Sequence, residues 1–159
     1  MEKGKGQLKV ASGCSPTCTV LVIVAALAFG VSAEQAPTAD SVWSGVFTEE
    51  QAKRGEAVYQ QDCSNCHDPG LEGADMTPPL TGGGFTSNWN DLTVGDLFER
   101  IRLTMPADSP GKLSRQKNAD VIAFILRANA WPAGTTELSR ELADLKQIKI
   151  AANKPPDRP

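Results

Sequence analysis

The chain's only histidine and the only two cysteines beyond residue 18 share five consecutive positions, Cys63-Ser64-Asn65-Cys66-His67. In a helical turn, positions i and i+3 lie on one face. Both thiols of this run therefore point the same way, with the imidazole projecting beside them. C-x-x-C-H is the attachment signature of c-type haem. Two thiols at this spacing reach neighbouring vinyl groups on one porphyrin edge, and the histidine supplies the proximal iron ligand. Structural zinc wants four Cys or His ligands, and beyond residue 18 there are only these three. A dithiol redox site expects strands alternating with helices around the C-x-x-C, and no convincing run of strands is found. The expectation is one covalent haem c attached through Cys63 and Cys66, its iron held by His67.

A sole histidine also excludes a second imidazole ligand from this chain. Past residue 33 the methionines are Met76 and Met105. Met76 follows His67 by nine residues, in a loop expected on the histidine side. Met105 follows a whole loop and a helix, which gives the chain room to cross to the opposite face. A single Met is more often core filler than ligand, but the shortage of competitors and the following Pro106 favour Met105 as the sixth ligand. His/Met ligation raises the potential. The alternative is an open sixth position, as in a ligand-binding or peroxidatic haem protein. Trp89 is a candidate for hydrogen bonding a haem propionate through its indole N–H, although a half-buried tryptophan is commonly core. Arg102 reads as a solvated helix residue.

The N-terminus predicts export. Lys3, Lys5 and Lys9 precede an apolar run from Thr19 to Val31, which ends in the small residues Ser32 and Ala33. A basic start, about a dozen apolar residues and an A-x-A-like stop describe a secretory signal over residues 1–33. An uncleaved membrane anchor is the competing reading, and the run is short against the roughly twenty residues a bilayer needs. Cys14 and Cys18 would leave with the signal, so the exported chain keeps only Cys63 and Cys66 in an oxidising space. Residues 1–33 hold three of the 16 basic and one of the 19 acidic residues, which leaves a net charge of −5. There is no basic stripe, and nucleic acid is excluded as a partner.

Residues 34–47, rich in Ala, Ser, Thr and Pro, read as a solvated linker. Thr48-Glu49-Glu50-Gln51 predicts a capping box at the start of a helix, with the glutamine side chain reaching back to the threonine amide. Ala52, Gly55, Val58, Tyr59 and Cys63 continue one helical face. From Pro69 to Asn90 the glycines and prolines predict a long irregular loop, functional rather than disordered because Leu71, Leu80, Phe85 and Trp89 give it apolar surface to bury. Thr93 caps a second helix to about Thr104, with Asp96 in its first turn. Ser114 caps a third, centred on Val121-Ile122-Ala123-Phe124-Ile125-Leu126 and stopped by Trp131-Pro132-Ala133-Gly134. Leu138, Leu142, Leu145 and Ile148 form a stripe with helical spacing, read as an arm lying on the domain, before a disordered tail. The division is thus 1–33 signal, 34–47 linker, 48–134 domain and 135–159 arm and tail.

Residues 48–134 resemble the small, mostly helical class of cytochrome c. Gly55 and Tyr59 ahead of the C-x-x-C-H match the glycine and aromatic of that family's first helix, and Val121-Ile122-Ala123-Phe124-Ile125 is similar to its last, which crosses the first where the glycine permits close approach. Pro78-Pro79-Leu80 looks like the family's P-x-L. The resemblance implies that the Pro78 carbonyl accepts the other N–H of His67, an outer contact that tunes the ligand. Thr104-Met105-Pro106, Pro110-Gly111-x-Leu113-Ser114 and Asn129-x-Trp131-Pro132-Ala133-Gly134 resemble the bacterial cytochromes found beside pyrroloquinoline-quinone alcohol dehydrogenases. The lengthened tail and the missing dehydrogenase domain depart from that subgroup. The implied fold is all-α, three to four helices wrapped around one haem, with a long Gly/Pro loop.

Residues 48–131 make 84, near the size at which one core is marginal without a staple. A covalently held, largely apolar macrocycle supplies the missing core. The expected function is electron transfer in the periplasm, without an enzymatic reaction of the chain's own. The partners would be a redox donor and acceptor, with a quinoprotein dehydrogenase or a terminal oxidase as candidates. The membrane enters only if the signal stays uncleaved. A fixed cytochrome subunit of a larger dehydrogenase, docked through residues 137–150, is the remaining alternative.

Overall fold

The computed structural model describes residues 41–155. The expected signal and residues 34–40 of the expected linker lie outside the described residues. Among the described residues six α-helices follow one another: α1 (Glu49–Asp62), α2 (Ser64–His67), α3 (Gly82–Trp89), α4 (Val94–Thr104), α5 (Arg115–Ala128) and α6 (Leu142–Leu145), preceded by a 3-10 turn at Val42–Ser44. Among the described residues there is no strand, only isolated bridges such as Ser41 with Lys149 and Thr93 with Lys149. The architecture is all-α, with more helices than the three to four the sequence suggested.

The caps read from the sequence set the helix starts. Thr48 Oγ1 accepts the Gln51 N–H at 3.1 Å, and Glu49 and Glu50 sit where the helix dipole favours negative charge. Thr93 and Asp96 form a complete reciprocal box. At Thr48 the box is only half made. Gln51 is fully buried, and its amide leaves the Thr48 backbone to bind both sides of Leu138 instead, donating from Nε2 at 3.0 Å and accepting the Leu138 N–H at 2.6 Å. Leu138 carries two buried backbone groups that need partners, and a side-chain amide offers a donor and an acceptor side by side.

α1 and α5 make the central crossing. A Cβ at Gly55 would collide with the Asp120 carbonyl, so the two backbones meet only because that side chain is missing. Tyr59 packs on Phe124 with ring centroids 5.2 Å apart, and Val121 through Leu126 are all buried. An unbroken buried run on a helix means packing on several sides. α1 covers one of them, and α4 packs against α5 as well as against α6.

Two segments outside residues 48–134 close the core, and the first differs from its sequence reading. Residues 41–47 are no solvated linker: Val42 and Phe47 are fully buried and Val46 nearly so. The arm after Gly134 is stitched into the body. Val94 donates to the Ile148 carbonyl, Ile150 to that of Leu92, and Val42 to that of Lys149. Trp43 and Trp131 both donate their indole N–H to the Ala151 carbonyl, at 2.8 and 3.1 Å. Leu138, Leu145, Ile148 and Ile150 face the core, and Lys146 bridges Asp96 and Glu99 on α4. The apolar stripe is therefore spent on this chain's own core.

Candidate functional site

The attachment run follows directly on α1. Cys63 ends that helix with its N–H on the Tyr59 carbonyl, and Cys66 and His67 both donate back to the Cys63 carbonyl, at 3.1 and 3.0 Å. This single turn is α2, and it puts the two thiols one helical turn apart. The two are not joined in a disulfide; Cys63 is half-buried and Cys66 exposed. Burial, aided by the neighbouring Asp62 charge, pushes the Cys63 thiol up to about 11, so it is neutral near pH 7.

His67 is buried, and its Nδ1 lies 3.1 Å from the Pro78 carbonyl. A carbonyl only accepts, so Nδ1 carries the hydrogen and Nε2 keeps its lone pair for a metal. The loop that delivers Pro78 is closely built. Tyr59 Oη donates to the Asp68 carbonyl at 2.6 Å, Gly73 N–H to the His67 carbonyl at 3.0 Å, and Leu80 N–H to the Leu71 carbonyl at 2.8 Å. Gly73 has φ +75°, and a Cβ there would strike the Thr77 carbonyl, so only glycine lets the loop return this tightly.

The stretch from Pro69 to Asn90 is not irregular throughout, since its second half is α3. Three glycines at the start of a helix are unfavourable by propensity. Tertiary contacts override them: Phe85 is buried and packs on Trp89 and Trp131 at 6.1 and 6.5 Å. Asn129 anchors the entry, accepting from Gly82 N–H and donating to the Leu80 carbonyl. Trp89 is half-buried, and among the described residues its indole N–H has no partner, unlike those of Trp43 and Trp131.

The two methionines differ sharply. Met76 stands at 97% exposure in the Ala74–Thr77 turn. Met105 is half-buried at the end of α4, its N–H on the Ile101 carbonyl at 2.8 Å. Among the described residues no three His, Cys, Asp or Glu side chains converge in a metal-holding group. The run thus offers two thiols and one imidazole nitrogen spread along a turn, a donor set for a porphyrin edge and its iron rather than for a lone ion.

Residues 50–125 match the family model described as cytochrome c oxidase, cbb3-type, subunit III. Over these residues the chain is similar to a cytochrome c domain. A domain of this kind holds covalently bound haem c with its iron and serves haem-based electron transfer. A solved structure, the sulfane dehydrogenase SoxCD from Paracoccus pantotrophus, aligns with this chain at 22% identity and a TM-score of 0.49, over 81% of this chain and 72% of that one. No curated protein matches the chain.

The sequence did not point to Tyr59 Oη or Asn129 as builders of the haem loops. The sequence marks Tyr59 for its ring, and Asn129 only through a resemblance. Both act by hydrogen bonding to carbonyls, which any residue presents and no motif marks.

Proposed function

We propose that this cytochrome is an exported one-electron carrier whose iron is held by His67 and Met105. When bound, the haem iron supplies reversible one-electron chemistry. The observation that carries the reading is the contact of His67 Nδ1 with the Pro78 carbonyl at 3.1 Å. It orients the only imidazole in the chain, leaves Nε2 as its metal-binding atom, and makes that nitrogen a stronger donor. Met105 supports the reading by position, half-buried behind α4 while Met76 stands in solvent. Held by an imidazole and a thioether, the iron would have its reduced state favoured and its potential raised. Trp89 is proposed to give its unpartnered indole N–H to a haem propionate. Exposed Cys66 puts the attachment turn at the surface, where a redox partner can approach it. Contacts of that kind are small and short-lived.

Export to the periplasm rests on the basic, apolar and small-residue sequence of residues 1–33. Among the described residues no helix is long and apolar enough to cross a membrane.

The test is the ferric absorbance spectrum of the haem-loaded protein. A low-spin spectrum with a sulfur-to-iron charge-transfer band, lost in Met105→Ala, is expected. A high-spin spectrum that responds to carbon monoxide in the reduced state would establish the open sixth site instead. A second reading, a fixed subunit of a larger oxidoreductase, is favoured by the matched family model, which is described as an oxidase subunit. Purification in a stable complex from the native host would select it over the free carrier.

A further inference from the structure

Residues 106–112, the loop that leaves Met105, are joined to the rest of the protein by very little. Their backbone hydrogen bonds, Ser109 to Pro106 at 2.9 Å and Lys112 to Ser109 at 3.3 Å, stay inside the loop. Residues 107–112 are all exposed. Among the described residues one polar contact leaves the loop, the ion pair of Lys112 Nζ with Asp62 Oδ1 at 2.9 Å. Asp62 is the last residue of α1 and the neighbour of Cys63, and its side chain is only 8% exposed. The far end of the loop is held differently. Asn118, fully buried on α5, donates from Nδ2 to the carbonyls of Leu113 and Ser114 at 3.2 and 3.0 Å. Two carbonyls can only accept, so the amide cannot be reversed. Its Oδ1 is left as the one buried side-chain polar atom without a partner among the described residues. Leaving that buried oxygen unpaired costs free energy, and the amide gives both its hydrogens to Leu113 and Ser114, the two residues that join the loop to α5.

We propose that Lys112 and Asn118 are positioning residues that clasp the Met105 loop, Lys112 tying it through Asp62 to the cysteine that carries the haem. The proposal rests on the His67/Met105 reading. A neutral thioether is a weak donor, so its occupancy of the iron follows how often the loop opens. Loops with few buried contacts open readily. An external ligand that needs the open state binds with an apparent affinity scaled by the open fraction. Loosening the clasp raises that fraction and tightens external binding by the same factor.

The experiment titrates imidazole into the ferric haem protein and follows the sulfur-to-iron charge-transfer band. Lys112→Gln is expected to raise apparent imidazole affinity about three- to fivefold, the size of a partly screened ion pair. Lys112→Arg is expected to restore the wild-type value, and Asp62→Asn/Lys112→Gln to bind no tighter than Lys112→Gln alone. Molar salt is expected to bring wild type towards Lys112→Gln by screening the pair. Asn118→Ala is expected to raise affinity about tenfold, and Lys112→Gln stands as the test should Asn118→Ala fail to fold. A purely structural role would shift the thermal midpoint and leave the imidazole affinity unmoved. Wild-type affinity in Lys112→Gln, with the band intact in both proteins, overturns the proposal. Wild type without the band, binding imidazole as Met105→Ala does, overturns the His/Met reading and the clasp with it.

Discussion

Gln51 and Leu138 lie 87 residues apart in sequence and exchange a complete pair of buried hydrogen bonds, side-chain amide to backbone amide. This pair fastens the arm after Gly134 to the first helix. Gln51→Leu keeps the bulk and strands the Leu138 N–H and carbonyl without partners. A destabilisation of about 2–4 kcal/mol is expected, from two buried polar groups left unmade. Denaturant melts of the haem-loaded variant check it, and a loss below ~1 kcal/mol would mean that water reaches the site.

Ending the chain at Gly134 removes the apolar side chains of Leu138, Leu145, Ile148 and Ile150 from the core. Each fully buried aliphatic side chain contributes roughly 1.5–3 kcal/mol, and a whole domain holds only about 5–15. The truncated protein is expected to lose most of its stability. An arm that served only as a docking surface would leave the thermal midpoint in place, so a melt matching the full-length protein refutes the structural role.

Removing both attachment sulfurs should matter as much. With Cys63→Ala/Cys66→Ala, or in a host without haem attachment machinery, the chain is expected to be largely unfolded, because a small domain with a long glycine-rich loop lacks core without the macrocycle. A full cooperative helical melt by circular dichroism in that material would falsify the expectation.

The pH dependence on the acid side should carry the mark of Asp96. Hydrogen bonds from Lys146 and from Thr93 lower its carboxyl from 3.8 to about 2. The folded state therefore binds fewer protons than the unfolded one in that interval, so stability rises with pH there. The contribution is complete above about pH 4 and is lost as the pH falls towards 2. Its size is modest, since the Asp96 side chain is 37% exposed and water screens the pair. Asp96→Asn is expected to flatten the thermal midpoint against pH between about 2 and 4. An unchanged slope in the variant would assign the acid sensitivity to other carboxylates.

The parts of this domain that were legible in the sequence are those whose partners are close along the chain. Thr93 and Asp96 are three residues apart and cap α4 as read. The capping box at Thr48 shows the limit of such reading. The motif was present, but a buried backbone elsewhere competed for the Gln51 amide and took it. Gly82 to Gly84 likewise discouraged a helix that Phe85, packed against Trp131, stabilises from outside the segment. Lys112 gave no signal at all. It reads as a solvated lysine in a turn until Asp62, fifty positions earlier, is found beside it.

By itself the sequence determined the chemistry: two thiols and an imidazole in one turn, at the spacing a haem edge requires, and the helices whose caps and apolar faces are local. Tertiary structure alone decided that the Gln51 amide goes to Leu138, that residues 41–47 and the arm close the core, and what ties the Met105 loop down. The physical reason is range. A helical turn and its cap are satisfied within a few residues, whereas a buried polar group takes whichever partner the packed chain brings within hydrogen-bonding distance.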